Sequence, residues 1–260
     1  MECKEVIRLL ERQSPKDYAC EWDNVGLLVG REDKEIKKIY IALDATDEAI
    51  EEAVQVGADL LLTHHPMIFR GMKRITAQDF IGRRVIRLIQ EDMVYYAMHT
   101  NFDVRGMADL AADHLHLSDT EVLEVTCESP QGTEGIGRYG NLESEMMLGQ
   151  CCELVKQAFT LENVKVFGDL KKKVYKAAIS PGSGKSVISN ALRAGVDVLI
   201  TGDIDHHEGI DAVAQGMAVI DAGHYGVEHI FIPYMEQYIR REAPELEVEI
   251  QPLTFPFQII

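Results

Sequence analysis

The sequence predicts an α/β fold of two duplicated lobes, each a mainly parallel or mixed sheet flanked by helices. Strand-like and helix-like runs alternate along most of the chain. The segment Ala53-x-x-x-Gly57-Ala58-Asp59-x-Leu61-Leu62-Thr63 returns 138 residues later as Ala191-x-x-x-Gly195-Val196-Asp197-x-Leu199-Ile200-Thr201, which marks an internal duplication. The first copy runs into His64-His65-Pro66 and the second into Gly202-Asp203-Ile204-Asp205-His206-His207. Downstream, His99-x-x-x-Asp103 and His224-x-x-x-Glu228 rhyme at an offset of 125. Histidines and carboxylates delivered by both copies just past buried strands predict a metal site for two ions at the lobe interface, on a pseudo-twofold axis.

Each element has a local reason. Met1 to Glu5 opens an amphipathic helix. Lys38 to Leu43 reads as a strand. Thr46 offers an N-cap hydroxyl, Asp47 and Glu48 suit the positive helix end, and Gly57 supplies the stop. Asp59 to Thr63 is an apolar strand ending at the double histidine. Phe80 to Asp92 has helical spacing through Val85, Leu88 and Ile89, and Val94 to Met98 is the next strand. In the second copy, Val174 to Ile179 is a strand, Ser180 to Gly184 a turn, and Lys185 to Ala194 a helix stopped by Gly195. Asp197 to Ile200, Gly209 to Gln215 and Ala218 to Asp221 complete a strand, helix and strand. Between the copies, Thr120 to Leu170 holds the Gly-rich run Gly132 to Gly140 and a predicted helix from Glu143 to Phe159. The first copy carries about a dozen extra residues, Met67 to Gln78, after its histidines. The lobes are drawn at 1–125 and 126–260, with the C-terminal segment free to pack back on the first.

A chain of 260 residues with 46% hydrophobic and 27% charged content belongs to the ordinary globular class. A net charge of −17 disfavours nucleic-acid binding, which needs a basic face. No stretch reaches the ~18 apolar residues of a membrane helix, and the N-terminus does not resemble a signal peptide. Five cysteines (Cys3, Cys20, Cys127, Cys151, Cys152) lack C-x-x-C spacing, which argues against a disulfide framework and for a reducing, cytoplasmic setting.

Ligands in open parallel sheets gather beyond the carboxyl ends of strands, where His64, His65, His99 and His224 fall. Neighbouring extended residues point to opposite sides, so His64 and His65 suit two ions better than one. Residues four apart on a helix share a face, which pairs His224 with Glu228 and His99 with Asp103. Imidazoles and carboxylates without thiolates admit zinc, iron, manganese or nickel. Asp103 also fits a helix cap, Asp203 and Asp205 fit turn formers, and His114, His116 and His229 read as ordinary histidines. His206 and His207 suit groups lining the same cavity. Two motifs mislead: Pro181 to Ser186 ends like a phosphate loop but has Ile179 where the first Gly must stand, and Cys151-Cys152 reads as core filler on a helix.

Together, Glu21-Trp22-Asp23-Asn24-Val25-Gly26-Leu27, Leu62-Thr63-His64-His65-Pro66, His99-Thr100-Asn101-Phe102-Asp103, Gly135-Ile136-Gly137-Arg138, Thr201-Gly202-Asp203 and Asp221-Ala222-Gly223-His224 span nearly the whole chain in order. In these pieces the chain resembles the NIF-three-like (NGG-interacting factor) family, whose bacterial members are described as type-2 GTP cyclohydrolase I homologues. The resemblance implies a dinuclear metal centre with His64, His65, Asp103, His224 and Glu228 as ligands, Glu228 bridging. It also implies His99 as a neighbour able to move protons, a purine-nucleotide substrate such as GTP, and a ring-shaped homohexamer. Val227 stands where many relatives place a hydroxyl residue, so any substrate contact from that hydroxyl is not carried over. The leading expectation is a metal-dependent hydrolase with His99, His206 or His207 as acid or base. The alternative is a regulatory or metal-delivery protein without turnover.

Overall fold

The computed structural model describes residues 1–129 and 132–260. In chain order the helices and strands begin with α1 (Cys3–Gln13), β1 (Gly26–Val29), β2 (Lys38–Ala42), α2 (Asp47–Gln55), β3 (Leu60–Thr63), α3 (Phe80–Gln90), β4 (Val94–Ala97) and α4 (Thr100–Phe102). Next come α5 (Ala108–His114), β5 (Ser118–Ser129), β6 (Gly132–Met147), α6 (Leu148–Ala158), β7 (Lys165–Phe167) and β8 (Lys173–Ser183). The chain finishes with α7 (Ile188–Ala194), β9 (Val198–Gly202), α8 (His206–Ala214), β10 (Ala218–Asp221), α9 (His224–Glu228), α10 (Phe231–Glu242) and β11 (Glu247–Ile250). Two compact units result. Unit 1 comprises 1–102 and 231–254, and unit 2 comprises 103–230 and 255–260. Among the described residues no helix is long and apolar enough to cross a membrane.

Unit 1 holds a five-stranded sheet in the order β1-β4-β3-β2-β11. Strands β4, β3, β2 and β11 run parallel and β1 closes one edge antiparallel. Leu60, Leu61 and Leu62 of β3 are fully buried, as a strand covered on both faces requires. Thr46 caps α2 by accepting the Ala49 N–H at 3.1 Å. Unit 2 holds a six-stranded sheet, β5-β6-β8-β9-β10-β7, in which β8, β9 and β10 are parallel and the other pairings antiparallel. Both units are therefore mixed sheets flanked by helices.

The duplication extends to individual hydrogen bonds. Asp59 Oδ2 accepts the N–H groups of Lys37 and Lys38 at 2.8 and 3.1 Å. Asp197 Oδ2 accepts those of Tyr175 and Lys176 at 2.9 and 3.0 Å. The Lys38 ammonium donates to Val56 O at 3.0 Å, and the Lys176 ammonium to Ala194 O at 2.7 Å. Ile39 faces Leu60 across one ladder and Ala177 faces Val198 across the other, keeping the 138 offset. On the other side of the central strand, Leu60 faces Val94 and Val198 faces Ala218, an offset of 124. The offset of 125 between His99 and His224 therefore includes one extra residue beyond the strand, next to Gly223, whose φ is +77°.

Several expected boundaries move. The turn expected at Ser180 to Gly184 is the end of β8, which continues to Ser183. Pro181 is tolerated there because it lies in the register shift between Ile179 and Ser183, past the last β6 pairing, where no ladder N–H is needed. The helix expected from Glu143 begins only at Leu148, because Met146 and Met147 pair with Val174 and Lys173 of β8. Sheet pairing overrides the helix preference of Glu and Met at those positions. Helix α8 starts at His206 instead of Gly209, directly after Asp205 at its N-cap.

Candidate metal centre

In unit 1 the histidines cluster beyond the carboxyl ends of the parallel strands. His64 and His65 follow β3, and His99 lies two residues past β4. One possible ligand atom from each of the three lies within 4.8 Å of the other two. His64 is fully buried. The hydroxyls of Thr63 and Tyr95 donate to the His65 carbonyl at 2.8 and 3.0 Å, and Met67 N donates to Tyr95 Oη at 2.8 Å. Those bonds fix the turn in which the double histidine sits.

Every ring in this cluster is oriented through the same atom. The Nδ1 of His64 meets Met98 O at 2.7 Å, that of His65 meets Asp44 Oδ1 at 2.8 Å, and that of His99 meets Asp23 Oδ1 at 2.9 Å. Carbonyls and carboxylates only accept, so each Nδ1 carries the proton and donates it, and each neutral ring has its lone pair on Nε2. Metal-binding histidines are held in this way, because the Nδ1 bond sets the tautomer and makes Nε2 more basic. Asp23 has no exposed side-chain surface. Its burial favours the neutral acid, but the hydrogen bond and charge of His99 outweigh that, aided by Thr100. The carboxyl is held down at about 2. Thr100 donates to it from its backbone N at 3.0 Å and its hydroxyl at 2.6 Å.

Unit 2 repeats the device on fewer residues. The Nδ1 of His224 meets Asp203 Oδ2 at 2.7 Å, and His224 Nε2 stands 3.1 Å from Glu228 Oε2 one helical turn away. Two atoms bound to one ion at about 2.0–2.1 Å stand roughly 3 Å apart, so this spacing fits shared ligation. Glu228 is 3% exposed. Its backing is the end of β8: a Cβ on Gly182, where φ is +78°, would lie 2.5 Å from Glu228 Oε1 and 3.7 Å from His224 Nε2. A Cβ on Gly202 would lie 2.5 Å from His224 N. The run that ends like a phosphate loop thus leaves room for a carboxylate. Asp103 opens the π-helical turn Asp103–Met107. His206 and His207 stand exposed at the start of α8, with ring centroids 5.2 Å apart.

Sequence reasoning missed Asp23 and Asp44, which orient His99 and His65, and read Asp203 as equally a turn former. Asp203 does both, taking φ +55° while holding His224. Asp44 was the discoverable one, since it follows β2 at the same sheet edge. Asp23 lies in a segment with no periodic signal, inside the Glu21 to Leu27 run that carries the resemblance but was given no role, and Gly182 and Gly202 carry no functional group.

The description Duf34/NIF3 (NGG1p interacting factor 3) matches residues 1–255. The chain belongs to this family. A curated relative from Clostridium perfringens, named GTP cyclohydrolase 1 type 2 homolog, is 37% identical over 265 residues, covering 100% of both chains. The solved structure of a Bacillus cereus protein related to NIF3 is 26% identical, with a TM-score of 0.91 over 100% of this chain and 99% of that one. A solved Staphylococcus aureus protein is 29% identical, with a TM-score of 0.89 over the same shares. In this Duf34/NIF3 chain, His64, His65 and His99 form one group among the described residues that could hold a metal ion.

Proposed function

We propose that the protein is a metal-dependent hydrolase in which His64, His65, Asp103, His224 and Glu228 would hold two divalent cations. The observation that carries this reading is the shared orientation of the histidines: four rings are tied at Nδ1 to an acceptor, which assigns Nε2 to ligation or proton transfer. The donor set of imidazoles and carboxylates suits zinc, iron, manganese or nickel. When bound, such a pair of cations makes water acidic enough to attack near neutral pH and polarises the bond attacked. His99 is the group best placed to take a proton, since the Nδ1 bond to Asp23 fixes its ring and leaves Nε2 as the acceptor. His206 and His207 are exposed candidates for the complementary transfer.

The substrate class comes from the relatives' printed name, GTP cyclohydrolase 1 type 2 homolog: a purine nucleotide opened by water. By family resemblance the chain assembles with copies of itself, as a hexameric ring. The deciding experiment is elemental analysis of protein purified without affinity-tag metals, together with GTP turnover. About two ions per chain and turnover abolished in His64→Ala are expected. Fewer than about one ion per chain removes the proposal, and ions without turnover select a metal-delivery or regulatory role.

A further inference from the structure

We infer that the loop 67–78, with Trp22, forms a nucleotide subsite in unit 1. Trp22 and Phe69 take the heteroaromatic base, and Arg70, Lys73 and Arg74 take the phosphates. The inference rests on the hydrolytic reading above and deepens it, assigning recognition to residues that ligate no metal.

The charge pattern is the first support. The chain carries a net −17, yet residues 67–78 hold three cations and no acid. All three are exposed, and among the described residues none of them makes an ion pair. Three other arginines of unit 1 are neutralised by contrast: Arg31 by Asp33 and Asp92, Arg84 by Asp47, Arg87 by Glu51. A local excess of positive charge in an acidic protein attracts a compact polyanion. It is too small to overcome the repulsion of a long nucleic acid.

The aromatic pair is the second. Trp22 is 59% exposed and Phe69 47% exposed. Their ring centroids lie 5.7 Å apart, and they lie 5.9 and 6.1 Å from the His99 ring. Intercalation between two rings needs roughly 7 Å, two contact distances, so a base stacks on an outer face of the pair. Stacking on an exposed ring is a sequence-tolerant way to hold any nucleobase. The root of the loop is already ordered: Asn24 Nδ2 donates to Ile68 O at 2.5 Å, and Met67 N is held by Tyr95 Oη. The duplication isolates the feature, because the second copy runs from Asp205 straight into α8 and has no such insertion.

Trp22 is the sole tryptophan, so its emission reads the test directly. The full-length chain is titrated with GTP, guanosine and inorganic triphosphate. GTP and guanosine are expected to change Trp22 emission, and triphosphate to bind without doing so. Replacing all three cations by Ala should weaken GTP roughly tenfold or more and leave guanosine unchanged, while Lys73→Arg retains GTP affinity. Phe69→Leu should weaken GTP and guanosine alike and leave triphosphate unchanged. Thermal melts confirm that these surface variants fold. GTP bound equally by the triple variant, or bound without altering Trp22 emission, overturns the subsite. Ion content measured on each sample separates the two readings. A metal-loaded chain that ignores nucleotides sinks the subsite alone, and a metal-free chain sinks the hydrolytic centre.

Discussion

Asp23 is a buried carboxylate with four tasks: it bonds His99, accepts twice from Thr100, and accepts the backbone N–H of Asn24 at 2.8 Å. Its carboxyl is held at about 2, below the ordinary 3.8. A depressed acid stabilises the fold fully above its unfolded value, and that stability is lost as pH falls through the folded value. Asp23→Asn should therefore cost roughly 1.5–3 kcal/mol near pH 6. In urea titrations the gap between parent and variant should narrow between about pH 4 and pH 2; a gap that widens there contradicts the assignment. Cysteine chemistry gives a second expectation at this scale. Burial pushes the Cys151 thiol up to about 12 and raises Cys152 as well, with their like-charged neighbours adding to it. Both should resist iodoacetamide at pH 8 in the native protein and react only on unfolding, detected by mass spectrometry. This agrees with reading the pair as core filler.

At the scale of elements, glycines that look alike separate sharply. Gly57 and Gly182 both have positive φ, +69° and +78°. A Cβ on Gly57 meets nothing within 4 Å, whereas one on Gly182 would strike Glu228. Gly57→Ala should cost only the left-handed strain, about 1–2 kcal/mol. Gly182→Ala should cost more and displace Glu228, lowering retained metal as well as melting temperature. Equal melting temperatures for the two variants would show that Glu228 yields freely. The twin aspartates supply a matched test. Asp59→Asn and Asp197→Asn each weaken two backbone bonds, and chemical denaturation should find similar losses of about 1–3 kcal/mol. The elements themselves were legible wherever a buried strand followed a helix stop, as at Leu60–Thr63 and Val198–Gly202. They were illegible where pairing decided, as at Glu143 to Met147, because a strand partner far along the chain leaves no local periodicity.

For the whole molecule, the duplication could be read from one repeated phrase, and with it the parallel strands β2, β3, β4 and β8, β9, β10. The antiparallel strands β1, β5, β6 and β7 that make both sheets mixed lie outside that phrase. The histidines and carboxylates were legible because they follow strand ends at rhyming positions. Of their orienting partners only Asp44, just past the end of β2, left a positional signal; Met98 O and Asp23 bond to them through tertiary geometry alone. A ligand that binds only the folded state stabilises it by mass action, by roughly 4 kcal/mol at a thousandfold excess over its dissociation constant. Exhaustive chelation should therefore lower the melting temperature by several degrees, and added zinc or manganese should restore it. An unchanged melt after chelation would leave the histidines with a structural role.

Unit 1 is completed by residues 231–254, which follow the whole continuous stretch 103–230 of unit 2. During synthesis on the ribosome, β2 waits for its partner β11 until about two hundred further residues have emerged. Over that interval an almost wholly buried strand presents an open edge, a template for pairing with other nascent chains. A message truncated before Glu247 should accordingly yield aggregates in the cell instead of a shortened soluble product.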